Sequence, residues 1–275
     1  MKHILVVLER EESVNPMLIK ALRFAPQSIT CLLFVSGKEP SLAEKLPNLI
    51  KSEVNDVCKT TILVEAFVKE SEKEDLLIKV LSSDKFDTTF IHRPQLGREK
   101  LDFSLIKAAL KGPIKSSIFL CGDNRWRGQL KLLGTVDIFT RTAAQKELNN
   151  KVLNTAAQVA IQLDAEVKLL GVIPIPRIKQ EFDITEPDEV MVKKGAVSKA
   201  KLEKLVQESG TLSDYSLKIA AGSAYSEIPS VASKSKSNIV IIGNVGRKGI
   251  KGLLIGNTAE KILTRLTVDA LIVRQ

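Results

Sequence analysis

Short apolar runs rich in β-branched residues alternate with longer amphipathic stretches along the whole chain. The pattern predicts five strands in each half, at residues 3–9, 29–35, 61–68, 88–92 and 116–121, then 132–138, 166–172, 215–220, 239–243 and 269–273. It predicts helices between them, at residues 15–24, 41–58, 72–81 and 99–110, then 145–163, 187–207, 223–233 and 258–266. Strands that alternate with helices of this length need crossover connections, so the pattern indicates an α/β fold with mostly parallel sheets.

The chain is long enough for two such sheets. Its 275 residues exceed the ~100–200 residues of an ordinary domain. The continuous apolar run Ile239-Val240-Ile241-Ile242 is typical of a parallel strand covered on both faces. A polar segment with flanking glycines at residues 122–130 has the composition of a linker. We therefore predict two tandem five-stranded domains, at residues 1–124 and 130–275.

Composition and charge exclude several classes of function. The net charge of +9 is spread along the chain and only 4% of the residues are aromatic, which argues against a nucleic-acid partner. No apolar run approaches the length of a membrane span, so we expect no membrane contact. The three cysteines have no CxxC spacing and indicate reduced thiols, hence a cytoplasmic protein.

Glycine usage singles out one segment of the second half. Five of the chain's 15 glycines fall between Gly243 and Gly256, after an apolar strand and before a predicted helix. Glycines allow close approach of a ligand, and a helix N-terminus attracts anions, so this context suits a phosphate site. A loop that merely turns the chain would have the same composition. The Walker A and dinucleotide motifs are both absent.

The spacing of these glycines resembles a known nucleotide-binding signature. Gly243, Gly246 and Gly256, followed by Asn257, form the pattern Gly-x2-Gly-x9-Gly-polar between strand and helix. This pattern resembles that of the universal stress protein family, and the final strand from Asp269 is similar to the family's last strand. The first half resembles a degenerate copy, which makes the chain similar to tandem members of the family.

The resemblance implies a fold, a ligand and a set of site residues. It implies Rossmann-like sheets with strand order 3-2-1-4-5 and an adenine nucleotide, ATP, as the cofactor of the second domain. Asp137 would face the adenosine, and the backbone at Val172 would meet the adenine. The ribose and phosphates would be surrounded by Gly243, Asn244, Gly246, Arg247, Gly256, Asn257 and Thr258. Because the family has Ser or Thr where this chain has Asn257, a role for Mg²⁺ is left open.

The same sequence features limit the range of possible functions. Residues 129–275 contain no histidine, so no histidine base is available, and we expect at most a slow ATPase. The first half has Glu9 in place of Asp137 and a single glycine, Gly97, after its fourth strand, which indicates a structural partner. The leading interpretation is a cytoplasmic stress-response protein regulated by nucleotide. The alternatives are a nucleotide-free interaction scaffold and a carrier of another anionic or lipid-like molecule, and the sequence names no protein partner.

The strand order implied by the resemblance also leaves one edge strand per domain. These edges are the apolar segments 116–121 and 269–273, and an exposed apolar edge favours aggregation. We predict that the two edges pair antiparallel within the chain as an internal pseudo-dimer, and further homodimerisation is left open.

Overall fold

The computed structural model describes residues 1–9, 11–36, 41–54, 57–69, 71–83, 86–93, 104–111, 116–175, 186–244, 247–249, 252–254 and 257–274. The chain divides into two compact units. The first unit comprises Met1–Trp126 and Gly246–Ile255, and the second comprises Arg127–Val245 and Gly256–Gln275. Unlike the division expected from the sequence, this one groups Gly246–Ile255 with the first unit.

The first unit is built around a five-stranded parallel sheet. Its strands are β1 (His3–Leu8), β2 (Ser28–Ser36), β3 (Lys59–Phe67), β4 (Thr88–His92) and β5 (Ser117–Cys121). Its helices are α1 (Glu11–Leu22), α2 (Leu42–Val54), α3 (Glu72–Ser83) and α4 (Ser104–Lys111). The strands lie in the order β3-β2-β1-β4-β5, and every pair is parallel. Strand β1 is buried from Ile4 to Leu8, as expected for the centre of a sheet with both faces covered.

The second half of the chain repeats this arrangement. Its strands are β6 (Leu130–Val136), β7 (Ala165–Pro174), β8 (Ser216–Gly222), β9 (Ile239–Asn244), β10 (Arg247–Gly249), β11 (Gly252–Leu254) and β12 (Asp269–Arg274). Its helices are α5 (Ala143–Leu163), α6 (Pro187–Ser209), α7 (Ala224–Lys234) and α8 (Asn257–Leu263). The second unit's sheet has the order β8-β7-β6-β9-β12, with every pair parallel.

The predicted architecture is confirmed. Each predicted strand and helix corresponds to an element of the structure, and each unit has the strand order 3-2-1-4-5. Residues 99–103, where the helix predicted at residues 99–110 would begin, lie outside the described residues. The structure adds one element that the pattern did not predict, an antiparallel hairpin of β10 and β11 inside the glycine-rich segment. The antiparallel pairing of the two edge segments stays a prediction.

Candidate functional site

A cavity of about 280 Å³ opens at the carboxyl ends of β6, β7 and β9 in the second unit. Strands β6 and β9 are the neighbours at which the strand order reverses, the position where open α/β sheets bind their ligands. Most of the lining is apolar, from side chains such as Leu170, Ile228, Ile242 and Ile262. Four polar residues join them, namely Thr135, Asp137, Gln145 and Asn149. This mixture is typical of small-molecule sites.

The structure brings three of the predicted site residues together. Asp137, Val172 and Gly243 all line the cavity. Asn244 is buried directly after Gly243, and Thr258 is exposed on α8; neither is among the described residues that line the cavity. The remaining predictions, namely Gly246, Gly256 and the side chains of Arg247 and Asn257, lie outside what the structure describes.

Asn149 is a site residue that sequence reasoning missed. It lies on α5, is 2% exposed, and bonds to the backbone of Asp137 twice. Its Nδ2 donates to the Asp137 carbonyl oxygen at 2.8 Å, and its Oδ1 accepts from the Asp137 N–H at 3.1 Å. Gln145, one helical turn earlier, donates to the same Oδ1 at 3.4 Å. Through these bonds Asn149 fixes the backbone from which the side chain of Asp137 projects. The only signal of this role in the sequence is a polar residue at a buried helical position.

The carboxylate of Asp137 has one oxygen engaged within its own turn. Oδ1 accepts a hydrogen bond from the Phe139 N–H at 2.9 Å, which shapes the connection from β6 to α5. Oδ2 accepts no hydrogen bond from any residue that the structure describes. The side chain is exposed at the cavity. It therefore presents an acceptor to a ligand hydroxyl or amino group.

Gly243 is required by packing as well as by the cavity. A Cβ atom at this position would lie 2.8 Å from Cγ of Leu148 and 3.3 Å from Cγ2 of Val152, both on α5. Helix α5 therefore approaches β9 as closely as it does because residue 243 has no side chain. The sequence-based interpretation gave this glycine a role in ligand contact alone.

Cation–π contacts join the two helices that close the cavity. Helix α7 contributes Ile228 to the lining and α8 contributes Ile262. Tyr225 at the start of α7 has the guanidinium carbon of Arg265 4.7 Å from its ring centroid and Nζ of Lys261 5.7 Å away. Such contacts contribute about 0.5–1 kcal/mol each at exposed sites. They hold the outer wall of the cavity in place.

The carboxyl group of Glu227 makes the second unit sensitive to pH. Burial raises the pKa of Glu227, and Lys234 offsets this only in part. Its Oε1 lies against Gly222, where a Cβ atom would be 2.8 Å away. Because the folded pKa is above the unfolded one, the folded state binds more protons between the two values, and stability falls as pH rises through that window.

Replacing Glu227 with glutamine should therefore remove this loss of stability. We expect Glu227→Gln to raise the unfolding free energy at neutral pH and to flatten its dependence on pH above the ordinary carboxyl pKa. Urea unfolding followed by circular dichroism at several pH values measures both. The exposed Glu203→Gln is the matched control. Equal pH slopes in wild type and Glu227→Gln would contradict the assignment.

In the first unit, the carboxylate at the end of β1 is already paired. Nζ of Lys73, which is 8% exposed, lies 2.8 Å from Oε1 of Glu9 and 4.3 Å from the ring centroid of Phe67. Glu9 stands in the sequence where the second half has Asp137. A buried lysine thus holds the corresponding carboxylate, which favours the interpretation of the first unit as a structural partner.

The described part of the chain lacks both a metal-binding cluster and a membrane-spanning helix. No cluster of three or more His, Cys, Asp or Glu side chains there could hold a metal ion. None of the described helices has the length and apolar character needed to cross a bilayer.

The second half of the chain is similar to a known protein family. Residues 144–274 match the model of the Universal stress protein family, which confirms the resemblance seen in the glycine spacing. The chain is 26% identical over 205 residues to Universal stress protein E homolog of Haemophilus influenzae, covering 74% of this chain and 62% of that protein. It is 26% identical over 161 residues to Universal stress protein E of Escherichia coli, covering 58% of this chain and 51% of that protein. The matches thus span about half to three fifths of these relatives.

Solved structures agree with the fold of the whole chain. A universal stress protein from Archaeoglobus fulgidus is 14% identical with a TM-score of 0.67, covering 98% of each chain. A structure from Pseudomonas aeruginosa assigned to the same family is 20% identical with a TM-score of 0.74, covering 100% of this chain and 93% of that one. At these identities the likeness extends to the fold and no further.

Proposed function

Since residues 144–274 match the model of the universal stress protein family, we propose that the second unit binds one adenine nucleotide, ATP, and acts as a nucleotide-dependent regulator. The observation that carries the proposal is the cavity at the strand-order reversal, lined by Asp137, Val172 and Gly243. The strand β9 that lines this cavity leads directly into the glycine-rich segment. The spacing of the glycines in that segment supports phosphate binding by it.

The lining suits the nucleoside part of the ligand. Its volume of about 280 Å³ is near the lower end for small-molecule sites, enough for a base and part of a ribose. Leu170, Val172 and Ile242 provide apolar contact for a flat base. Asp137 provides the acceptor for a ribose hydroxyl or an amino group. Phosphates would then extend toward Gly246, Gly256, Asn257, Thr258 and Arg247.

Regulation is favoured over catalysis by what the site offers chemically. Asp137 is the carboxylate among the described residues of the lining, and in the proposed pose it faces the nucleoside end, away from the phosphates. Hydrolysis needs a positioned water with a base or a metal near the phosphates. Side-chain oxygens of Asn257 and Thr258 are candidate ligands for Mg²⁺ accompanying ATP. We propose that occupancy changes the protein's contacts in the cytoplasm, a compartment that its three free cysteines fit.

Filling the cavity with a bulky side chain tests the site directly. Ala224 lies at the start of α7 and lines the cavity, so we expect Ala224→Trp to occupy the space of the base. The affinity for ATP should fall by at least tenfold, since about 1.4 kcal/mol of lost contact suffices. Isothermal titration calorimetry of the full chain measures it.

The control is a neighbouring substitution of the same kind. Ser226→Trp introduces the same side chain at an exposed position of the same helix and should leave ATP binding unchanged. If Ala224→Trp bound ATP as tightly as Ser226→Trp, the cavity would not be the nucleotide site.

A further inference from the structure

A second and larger cavity lies in the first unit. It has a volume of about 570 Å³, within the range of small-molecule sites. One side is formed by α1 and the residue that follows it, with Pro16, Ile19, Lys20 and Arg23. The other side is the segment of residues 124–126, ending in Trp126. All of these residues belong to the first unit and none belongs to the nucleotide site described above.

The aromatic wall of this cavity is held firmly by the core. The ring of Trp126 makes edge-to-face contacts with Phe24 at 6.1 Å and with Phe119 at 6.0 Å between centroids. These two rings belong to a buried cluster in which Phe119 stacks on Phe90 at 4.5 Å. Edge-to-face and stacked geometry is the favoured arrangement of aromatic pairs. Trp126 therefore presents a preformed, half-buried ring to the cavity.

A buried lysine fixes the segment that carries this ring. Lys20 is 2% exposed, and its Nζ donates to the Gly122 carbonyl oxygen at 2.7 Å and to Oδ1 of Asn124 at 3.2 Å. The same Nζ lies 5.6 Å from the Trp126 ring centroid. A charge-assisted bond to a backbone carbonyl is strong, so α1 and the segment 124–126 are joined before any ligand arrives.

The charge of the cavity is positive. The described residues that line it include the three basic residues Lys20, Arg23 and Arg125 and no acidic residue. Arg23 and Arg125 are exposed, and neither forms an ion pair with any residue that the structure describes. The guanidinium of Arg23 lies 5.4 Å from the Trp126 ring centroid. Glu53 is an acidic residue in contact with the lining, and its Oε1 accepts a hydrogen bond from Asn15 at 2.6 Å.

We propose that this cavity binds a small aromatic anion. The flat ring of the ligand lies against Trp126, and its carboxylate or phosphate is bound by Arg23 and Arg125. Guanidinium groups bind both kinds of anion through paired N–H donors, and arginine beside an aromatic ring also favours planar ligands. Pro16 and Ile19 provide the apolar contact for the ligand's remaining surface.

The protein carries its own reporter for this site. Trp126 is the single tryptophan of the chain, so tryptophan emission, excited selectively over the two tyrosines, reports on this cavity. We expect phenyl phosphate to change the Trp126 emission saturably. Benzyl alcohol, which lacks the anion, and inorganic phosphate, which lacks the ring, should each bind at least tenfold more weakly. Equal binding of either analogue would overturn the proposal, as would the absence of a saturable change with phenyl phosphate.

Matched variants distinguish specific binding in this cavity from general electrostatic attraction of anions to the protein surface. Arg23→Gln and Arg125→Gln should each weaken phenyl phosphate binding about tenfold, the loss expected for one charge-assisted hydrogen bond. Arg127→Gln makes the same change of charge at the exposed residue next to Trp126 and should have no such effect. All three residues are exposed, so folding is preserved. Equal weakening by Arg127→Gln would show general charge attraction and overturn the proposal.

Discussion

Replacing Gly243 with alanine is expected to destabilise the second unit by about 1–3 kcal/mol, the usual cost of overpacking a core. The added Cβ atom would lie 2.8 Å from Cγ of Leu148 and 2.9 Å from its Cδ2. Leu148 is fully buried on α5, so either its side chain or the helix that carries it must shift away from β9. Because Gly243 and Asn149 of α5 both line the cavity, the same displacement should weaken ATP binding. Urea unfolding followed by circular dichroism gives the first effect and calorimetry the second.

Gly195 provides the matched comparison within the same unit. It lies inside α6, and a Cβ atom there would lie 3.2 Å from Cε of Met191, the far end of a flexible side chain. Alanine is favoured over glycine in helix interiors by about 0.5–1 kcal/mol. Gly195→Ala should therefore stabilise the protein while Gly243→Ala destabilises it. Changes of the same sign and size in the two variants would contradict the packing role given to Gly243.

Replacing Asn149 with leucine should damage both stability and binding. Leucine has nearly the same size but can neither donate to the Asp137 carbonyl nor accept from its N–H, and both bonds are lost. Leaving such groups unsatisfied costs about 1–3 kcal/mol. The turn that carries Asp137 would lose its anchor to α5, so we also expect an ATP affinity at least tenfold lower, as for a loss of about 1.4 kcal/mol.

The next residue serves as the control for this change. Asn150 is exposed on the same helix, and Asn150→Leu should stay within about 0.5 kcal/mol of wild type. The unfolding free energy and the ATP affinity of the two variants are measured side by side. If Asn149→Leu were as stable as Asn150→Leu and bound ATP normally, the hydrogen bonds to Asp137 would have no bearing on the site.

The fold could be predicted from sequence because its elements repeat clear periods. Strands such as β1 and β9 contain continuous apolar runs, and most of the described crossover helices are longer than two turns, so periodicity separates the two types. The hairpin of β10 and β11 escaped prediction for a physical reason. Its strands have three residues each, Arg247–Gly249 and Gly252–Leu254, too short for an alternating pattern to be recognised among glycines.

The site was predictable only where residues are local in sequence. Asp137, Val172 and Gly243 each lie within two residues of the carboxyl end of a strand, so the topology alone brings them to one edge of the sheet. The role of Asn149 depends on how α5 is rotated over β6. Periodicity marks Asn149 only as a polar residue on a buried helix face. The pairing of Glu9 with Lys73 joins residues 64 positions apart, and such a contact has no signature in a single sequence.

Native mass spectrometry of the full-length chain tests the central proposal most directly. Protein purified without added nucleotide and then titrated with ATP should show one adenine nucleotide per chain, and the Ala224→Trp variant should need at least tenfold more ATP for the same occupancy. A co-purified ligand of another mass that ATP does not displace would favour a carrier of a different small molecule. No bound mass at any ATP concentration up to millimolar, or two nucleotides per chain, would contradict a single nucleotide site in the second unit.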